Sequence, residues 1–461
     1  MSIRKKWFGD KAFYGMVLAV AVPIMIQNGI TNFVSLLDNI MVGRIGTEQM
    51  SGIAIVNQLL LVFNLAVFGA ISGVGIFGAQ FFGCKNNRGL QHTLRFKLYI
   101  CAGIVLVGIL VLIFKGDDLI LLYLHGEGND QALQMTLEYG REYLWVMLTG
   151  LLPFAVEETY ASTLRECGET KLPMLAGVAA VLVNLVLNYL LIFGKFGFPE
   201  LGVVGAAVAT VVSRYVQAVI VIVWTHTHAE KMPFIVGAYR ELKIPGQLAG
   251  NIVKRGTPLM INEILWAAGM AMMNQCYSMR GLDAVAALNI STTISNLFNI
   301  VFMAMGSAIS IIVGQLLGAG KMQEARDTDV KLIVFAVLSC LGLGGLMILV
   351  SPLFPQLYNT SSDVKHLASV LLRMAAACMP MWAFMHTTYF TLRSGGKTIV
   401  TFLFDSVFLW CVSIPVAFML SRYTGLAIAP LYLCCQLLDL IKCVIGFILV
   451  KKGIWLQNIV A

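Results

Sequence analysis

Apolar residues fill long blocks along nearly the whole chain, and polar residues collect in short stretches between them. A helix needs roughly 20 apolar residues to cross the hydrocarbon of a bilayer. On that scale the pattern predicts twelve membrane-spanning helices, at residues 13–42, 50–83, 92–114, 133–163, 172–195, 202–226, 251–279, 286–318, 328–352, 364–391, 398–420 and 424–450. The first, second, fourth, seventh, eighth and tenth are longer than a bilayer requires, so they tilt or project beyond it. The expected fold class is an all-α integral membrane protein.

The polar stretches give an orientation. Arg4, Lys5, Lys6, Lys85, Arg88, Arg95, Lys97, Arg165, Lys171, Lys231, Arg240, Lys243, Lys254, Arg255, Lys321, Arg326, Lys331, Arg393, Lys397, Lys451 and Lys452 fall on one side. The other side carries few cations (Arg44, Lys115, Lys195, Arg280, Lys365, Arg422), with Asp117, Asp118, Glu127 and Asp130 beside them. Cations mark cytoplasmic loops, so both termini are expected in the cytoplasm, and an even number of spans satisfies this. The basic start is not read as a cleavable signal. Its apolar run continues past Pro23 towards Asp38, so it is read as an uncleaved first helix.

An internal repeat refines the architecture. A shift of 235 residues brings Pro23 onto Pro258, Gly46 onto Gly281, Phe63-Asn64 onto Phe298-Asn299, Ser72 onto Ser307, Gln80 onto Gln315 and Gly83 onto Gly318. Further along, a shift of 228 brings Thr163-Leu164-Arg165 onto Thr391-Leu392-Arg393, Gly168 onto Gly396 and Thr170 onto Thr398. Six spans per copy is an even number, so both copies enter the membrane in the same sense and form a parallel repeat, with a transport path expected between the halves. The expected division is residues 1–226 as a first lobe, 227–250 as a basic cytoplasmic linker and 251–461 as a second lobe.

Composition narrows the class. Of the 461 residues, 58% are hydrophobic and 12% charged, and the mean hydropathy is +0.82. That is about half of the roughly 25% charge a soluble domain carries. The net charge of +8 lies in short loops, which is a topological signal and not a nucleic-acid footprint. Seven of the ten cysteines (Cys101, Cys276, Cys340, Cys378, Cys411, Cys434, Cys435) sit in apolar segments without paired or metal-ligand spacing, and read as small hydrophobes. The sequence has no phosphate-binding GxxxxGK[ST], nucleophile elbow or metal-ligand cluster. No enzyme activity, ATP use, resident metal or cofactor is expected, and no obligate protein partner is evident.

Candidate chemistry lies in ionisable residues inside apolar spans, each of which costs about 2.5–3.5 kcal/mol at the membrane centre. Asp38 is the first: it either binds a proton or a cation, or pairs with Arg44 at the membrane edge. Asn184 and Asn188, four apart, share a face of the fifth span. They either hold the ligand of Asp38 or make ordinary interhelical hydrogen bonds. Glu263, five residues after Pro258, either binds an ion or substrate or pairs with Arg255. Glu157, Glu158 and Asp405 are further intramembrane acids, with pairing to Arg165 and Lys397 as the alternatives. The repeat sets Glu158 opposite His386, which is otherwise a structural donor. Arg214 is expected to anchor the sixth span. Met270, Met272, Met273, Met279, Met374, Met379, Met381 and Met385 fill packing and lipid-facing surfaces or give a soft cavity wall, with Met273 and Met381 as the positions to test.

These features resemble the multidrug and toxic compound extrusion (MATE) family over nearly the whole chain. The resemblance rests on Pro23 followed by Asp38 in DNIMVGRIG, on GAQFFGCKN and its copy GQLLGAGK, on LRECGETKLPM and its copy LRSGGKT, and on VLVNLVLNYLLIFGKFGFPELGVVGAAVATVVSRY. It implies two pseudo-symmetric six-helix lobes in a V, and antiport of organic, often cationic, compounds against H+ or Na+. It also implies an ion site in the first lobe at Asp38, Asn184, Asn188 and Thr210, with Na+ possible at Asp38 or Glu263. Some family members have an acid where this chain has Asn188. The expected function is therefore multidrug efflux across the cell membrane. The alternatives are a flippase for lipid-linked or polysaccharide precursors, disfavoured because the only intramembrane cations noted are chiefly Arg214 and Arg373, and a non-transporting receptor or scaffold.

Overall fold

The computed structural model describes residues 7–43, 46–124 and 130–461. Arg4, Lys5, Lys6, Arg44 and Glu127 lie outside the described residues, as does the side chain of Asp130. Every regular element among the described residues is helical. In chain order these are α1 (Lys11–Gly43), α2 (Thr47–Gly83), α3 (Asn87–Tyr123), α4 (Asp130–Leu148), α5 (Leu151–Glu166), α6 (Lys171–Phe193), α7 (Gly202–Thr227), α8 (Gly246–Ser278), α9 (Leu282–Gly318), α10 (Met322–Val350), α11 (Ser362–Ser394), α12 (Thr398–Phe402), α13 (Ile414–Tyr423), α14 (Ile428–Leu437) and α15 (Asp439–Lys452).

Each of the twelve expected spans is found. The fourth is broken into α4 and α5 at Gly150. The eleventh passes from α12 to α13 through two π-helical runs, Leu403–Val407 and Leu409–Ser413. The twelfth is α14 followed by α15, joined at Leu438. Ten spans are long and apolar enough to cross a membrane by those criteria alone. The other two are α4–α5, which is broken, and α8, which carries Lys254, Arg255, Asn262 and Glu263. Large apolar side chains face outwards: Phe114 is 76% and Leu349 71% exposed. Such exposure is ordinary where lipid is the solvent.

Local geometry repeats with the sequence. Gly168 and Gly396 both take left-handed backbone (φ 83° and 73°), a conformation glycine adopts at little cost. Each closes its helix with the same pair of bonds. Gly168 N and Glu169 N donate to Arg165 O and Leu164 O, both at 2.9 Å. Gly396 N and Lys397 N donate to Arg393 O and Leu392 O, at 2.8 and 3.2 Å.

The chain divides into two compact units. One comprises Ile26–Gly78 and Asn86–Val253; the other comprises the chain up to Met25, Ala79–Lys85 and Lys254–Ala461. The first boundary falls two residues after Pro23, inside α1. A proline has no N–H to donate and disrupts the helix around it. In the first unit the core gathers Val56, Leu60, Met147, Leu151 and Ala207, and in the second Val17, Ala21, Ile309, Leu317 and Trp455.

Two bonded networks hold the ends of the helices. In the first unit the linker lies on α3: Gln91 Nε2 donates to Val236 O (2.8 Å), Arg95 Nε to Ala238 O (2.5 Å) and Tyr99 OH to Leu242 O (2.9 Å). Tyr239 of this linker is bonded to Tyr160, and burial pushes its hydroxyl up from the ordinary tyrosine value. In the second unit, Gln80 is fully buried. Its Nε2 donates to Ser394 O (2.9 Å) and Gln457 O (3.2 Å), and its Oε1 accepts from Ile459 N (2.8 Å).

Beside that network, two repeat-equivalent glycines make reciprocal close approaches. A Cβ on Gly83 would come within 1.9 Å of Gln315 O, and one on Gly318 within 1.9 Å of Gln80 O. Backbone cannot yield as a side-chain tip can. Gly318→Val is therefore expected to lower the detergent-solubilised melting temperature markedly, since overpacking costs about 1–3 kcal/mol or more. Gly342→Val, where an added Cβ meets nothing within 4 Å, is the matched control and leaves it unchanged. Equal melting temperatures for the two variants would contradict this.

Candidate functional sites in the two units

In the first unit, α1, α6 and α7 bring together the four residues singled out there. Asn188 Nδ2 donates to Asp38 Oδ1 at 2.7 Å and reaches Asn184 Oδ1 at 3.1 Å. Asn184 Nδ2 donates to Thr210 Oγ1 at 3.3 Å. Asn184 and Asn188 are 5% and 2% exposed. The helical spacing of four puts both amides on one face, and the GAAVAT stretch of α7 presents only small side chains beside Thr210.

The amides report what the carboxyl carries. The amide end of Asn184 that faces Asp38 lies 3.0 Å from Asp38 Oδ1. An ionised carboxylate needs the Asn184 NH2 turned towards it. A protonated one donates to the Asn184 oxygen instead. Asn188 Oδ1 is buried and accepts no hydrogen bond among the described residues. Asp38, Asn184, Asn188 and Thr210 thus form one hydrogen-bonded cluster across α1, α6 and α7.

The other acids of this unit separate. Glu157 is 3% exposed and accepts from Gln217 Nε2 at 2.9 Å. Glu158 forms the ion pair with Arg165, at 3.6 Å, and Arg165 also donates to Gln27 Oε1. Arg214 donates to Gly150 O at 3.3 Å and lies over Phe154, anchoring α7 at the break between α4 and α5.

In the second unit a larger polar cluster forms. Asn262 Nδ2 donates to Asp405 Oδ2 (3.0 Å) and Tyr389 OH (3.3 Å), and Asn262 Oδ1 accepts from Ser406 Oγ (2.7 Å). Two pairings that the sequence offered as alternatives are not found among the described residues. Asp405 pairs with Lys442 at 3.7 Å and not with Lys397, because the π-helical run carries it towards α15. Arg255 donates to Gly396 O at 3.2 Å and forms no ion pair with Glu263 among the described residues. His386 is not a satisfied donor pair: its Nδ1 is buried without a hydrogen-bond partner, and Phe302 lies 4.8 Å away between ring centres. Met273 is 6% exposed and packs with Cys276, Tyr277 and Leu409. Met381 is half-buried, and its carbonyl accepts from Cys443 Sγ.

Several buried charges escape the sequence pattern, among them Lys97, Glu166, Asp329 and Lys442. Lys97, counted there among loop cations, is fully buried and donates to Glu166 Oε1 (2.5 Å), Ser162 Oγ and Thr163 Oγ1 (both 3.1 Å). Lys442 is 5% exposed. Both lysines lie inside predicted spans, which was the available signal. The short count of intramembrane cations, Arg214 and Arg373, was therefore incomplete. Among the described residues, no group of three His, Cys, Asp or Glu side chains is placed to hold a metal ion.

Two six-span repeats with buried carboxylates inside the helical bundle define a multi-pass membrane transporter. The profile of the MatE family matches residues 23–190 and again 258–419, and the two matches begin at Pro23 and Pro258, the residues that the 235-residue shift superposes. The chain belongs to the MatE family, whose members are transporters and not enzymes. It is 24% identical over 416 residues to the probable multidrug resistance protein NorM of Thermotoga maritima, covering 89% of this chain and 86% of that one. It is 25% identical over 416 residues to the probable multidrug resistance protein YoeA of Bacillus subtilis, covering 88% and 87%. Its fold matches an outward-facing multidrug resistance MATE family transporter of the MOP superfamily, with a TM-score of 0.84 at 18% identity over 98% of both chains.

Proposed function

We propose that this chain is a secondary antiporter of the cell membrane that exports organic, cationic or amphipathic compounds in exchange for H+ or Na+. The observation that carries this reading is Asp38, a carboxylate in a membrane-spanning helix whose hydrogen-bond donor is a neutral amide, Asn188. Among the described residues, which do not include Arg44, Asp38 has no ion pair, and a charge so held in lipid is expensive, which favours uptake of one proton or cation. In this reading, Asn184, Asn188 and Thr210 orient the carboxylate, and Glu263 is a second ion-binding acid. Glu157, Glu158, His386, Asp405, Met273 and Met381 are the side chains we propose for substrate. Residues 1–226 and 251–461 act as two lobes joined by 227–250, with both termini cytoplasmic. Occupied and empty carboxylates favour different conformations, and the difference in affinity between those conformations couples ion to substrate.

The names of the relatives, multidrug resistance proteins, support the substrate class. Against the flippase alternative, the two additional buried lysines are each ion-paired, to Glu166 and to Asp405 and Asp439. The test is efflux of ethidium from proteoliposomes under imposed gradients. Collapse of either the proton or the sodium gradient by its ionophore is expected to stop accumulation. Efflux that persists with both gradients collapsed would contradict antiport.

A further inference from the structure

We infer that Lys442 is the resident cation of the second unit's carboxylate cluster and sets at one the number of monovalent cations that cluster takes up. Lys442 projects from α15 with its side chain 6% exposed. Its Nζ lies 3.2 Å from Asp439 Oδ1, one turn away, 3.7 Å from Asp405 Oδ1, and 5.2 Å from the centre of the Phe408 ring. The other oxygen of Asp405 is held by Asn262. The ammonium is therefore shared by two acids on different helices, with the longer contact to Asp405.

Asp405 stands in the π-helical run and Asp439 beside Lys442 on α15, while Glu263 stands on α8 and His386 and Arg393 on α11. The ammonium faces two carboxylates, Asp405 and Asp439, so one negative charge is left over. A buried unpaired charge is strongly disfavoured, so the cluster is completed by one proton or one monovalent cation. Removal of the lysine leaves two charges to complete. An incoming cation competes at the weaker contact, Asp405, while Asp439 retains the ammonium inside.

The transport consequence rests on the antiport reading; the charge count does not. The test compares wild-type protein, Lys442→Gln and Lys442→Arg in nanodiscs at neutral pH without added sodium, by infrared spectroscopy of carboxyl-labelled Asp and Glu. Lys442→Gln is expected to show one additional protonated carboxyl per protein, and Lys442→Arg none. If Lys442→Gln does not fold, the Asp405→Asn/Lys442→Gln pair, which removes one charge of each sign, is expected to fold and match wild type. Identical protonated-carboxyl counts in wild type and Lys442→Gln, or an extra one in Lys442→Arg, would overturn the inference. In proteoliposomes, the ions moved per tetraphenylphosphonium are expected to rise by one in Lys442→Gln. If the infrared change appears but wild type shows no ion-linked tetraphenylphosphonium movement, the antiport reading fails and the charge assignment stands.

Discussion

Asp38→Asn eliminates uphill efflux in proteoliposomes while leaving a folded, inserted protein. Asparagine has the shape of the carboxyl and can still accept from Asn188 Nδ2, whose bond to Asp38 is 2.7 Å long. It removes the one property that matters to coupling, a charge that a proton or cation can cancel. Coupling needs empty and occupied states that differ in charge, so once that charge is gone no ion gradient can drive accumulation and the compound only equilibrates. Stability is expected to hold or rise, since an expensive buried charge is gone. Full accumulation by Asp38→Asn, measured with ethidium against an imposed gradient, would show that coupling lies elsewhere.

Lys97→Met has the largest expected effect on stability. It leaves Glu166, whose side chain is 7% exposed, without the ammonium that now stands 2.5 Å from it. The neighbouring helix gives no room for rearrangement. A Cβ on Gly78 would come within 1.9 Å of Glu166 Oε2, so the carboxyl is already seated against α2. Removing one partner of a buried pair costs about 3–5 kcal/mol, whereas replacing both with apolar groups is often neutral. Lys97→Met is therefore expected to lose most of its folded yield in membranes. Lys97→Met/Glu166→Leu is expected to recover the yield, measured by fluorescence-detected size exclusion and thermal melting. A double variant as unstable as the single one would mean that Glu166 is not the source of the penalty.

The parts of the fold that follow from one-dimensional periodicity were legible. Twelve apolar runs became twelve helical spans, and the shifts of 235 and 228 residues reappear as matching helix ends at Gly168 and Gly396. The breaks were less visible. Nothing in the apolar pattern distinguishes Gly150, where α4 ends, from the many other glycines in these spans. The division of the chain within α1, after Met25, depends on tertiary contacts that no local pattern encodes.

The same contrast holds for the sites. Asp38, Asn184 and Asn188 stood out because an acid in an apolar run and an amide pair four apart are local signals, whereas Thr210, which Asn184 reaches, entered only through the family resemblance. For Asp405 the sequence offered only Lys397, a neighbour in the chain, as an alternative partner, because Lys442 is remote in the chain and meets it where the π-helical run lies. Lys97 was misread for a related reason. Its position near the start of the third span looks like loop charge, and only the packing of α5 on α3 places it in the interior.

Reciprocity gives the most direct test of the central claim. If one site links ion and substrate, then a substrate gradient alone must move ions, just as an ion gradient moves substrate. Proteoliposomes loaded with tetraphenylphosphonium, with no ion gradient imposed, are diluted into substrate-free buffer, and internal pH and sodium are followed by fluorescence. Wild-type protein is predicted to draw H+ or Na+ inwards as the compound leaves, and Asp38→Asn to draw none. Substrate exit from wild-type vesicles without any ion entry, or equal ion entry with Asp38→Asn, would contradict the account.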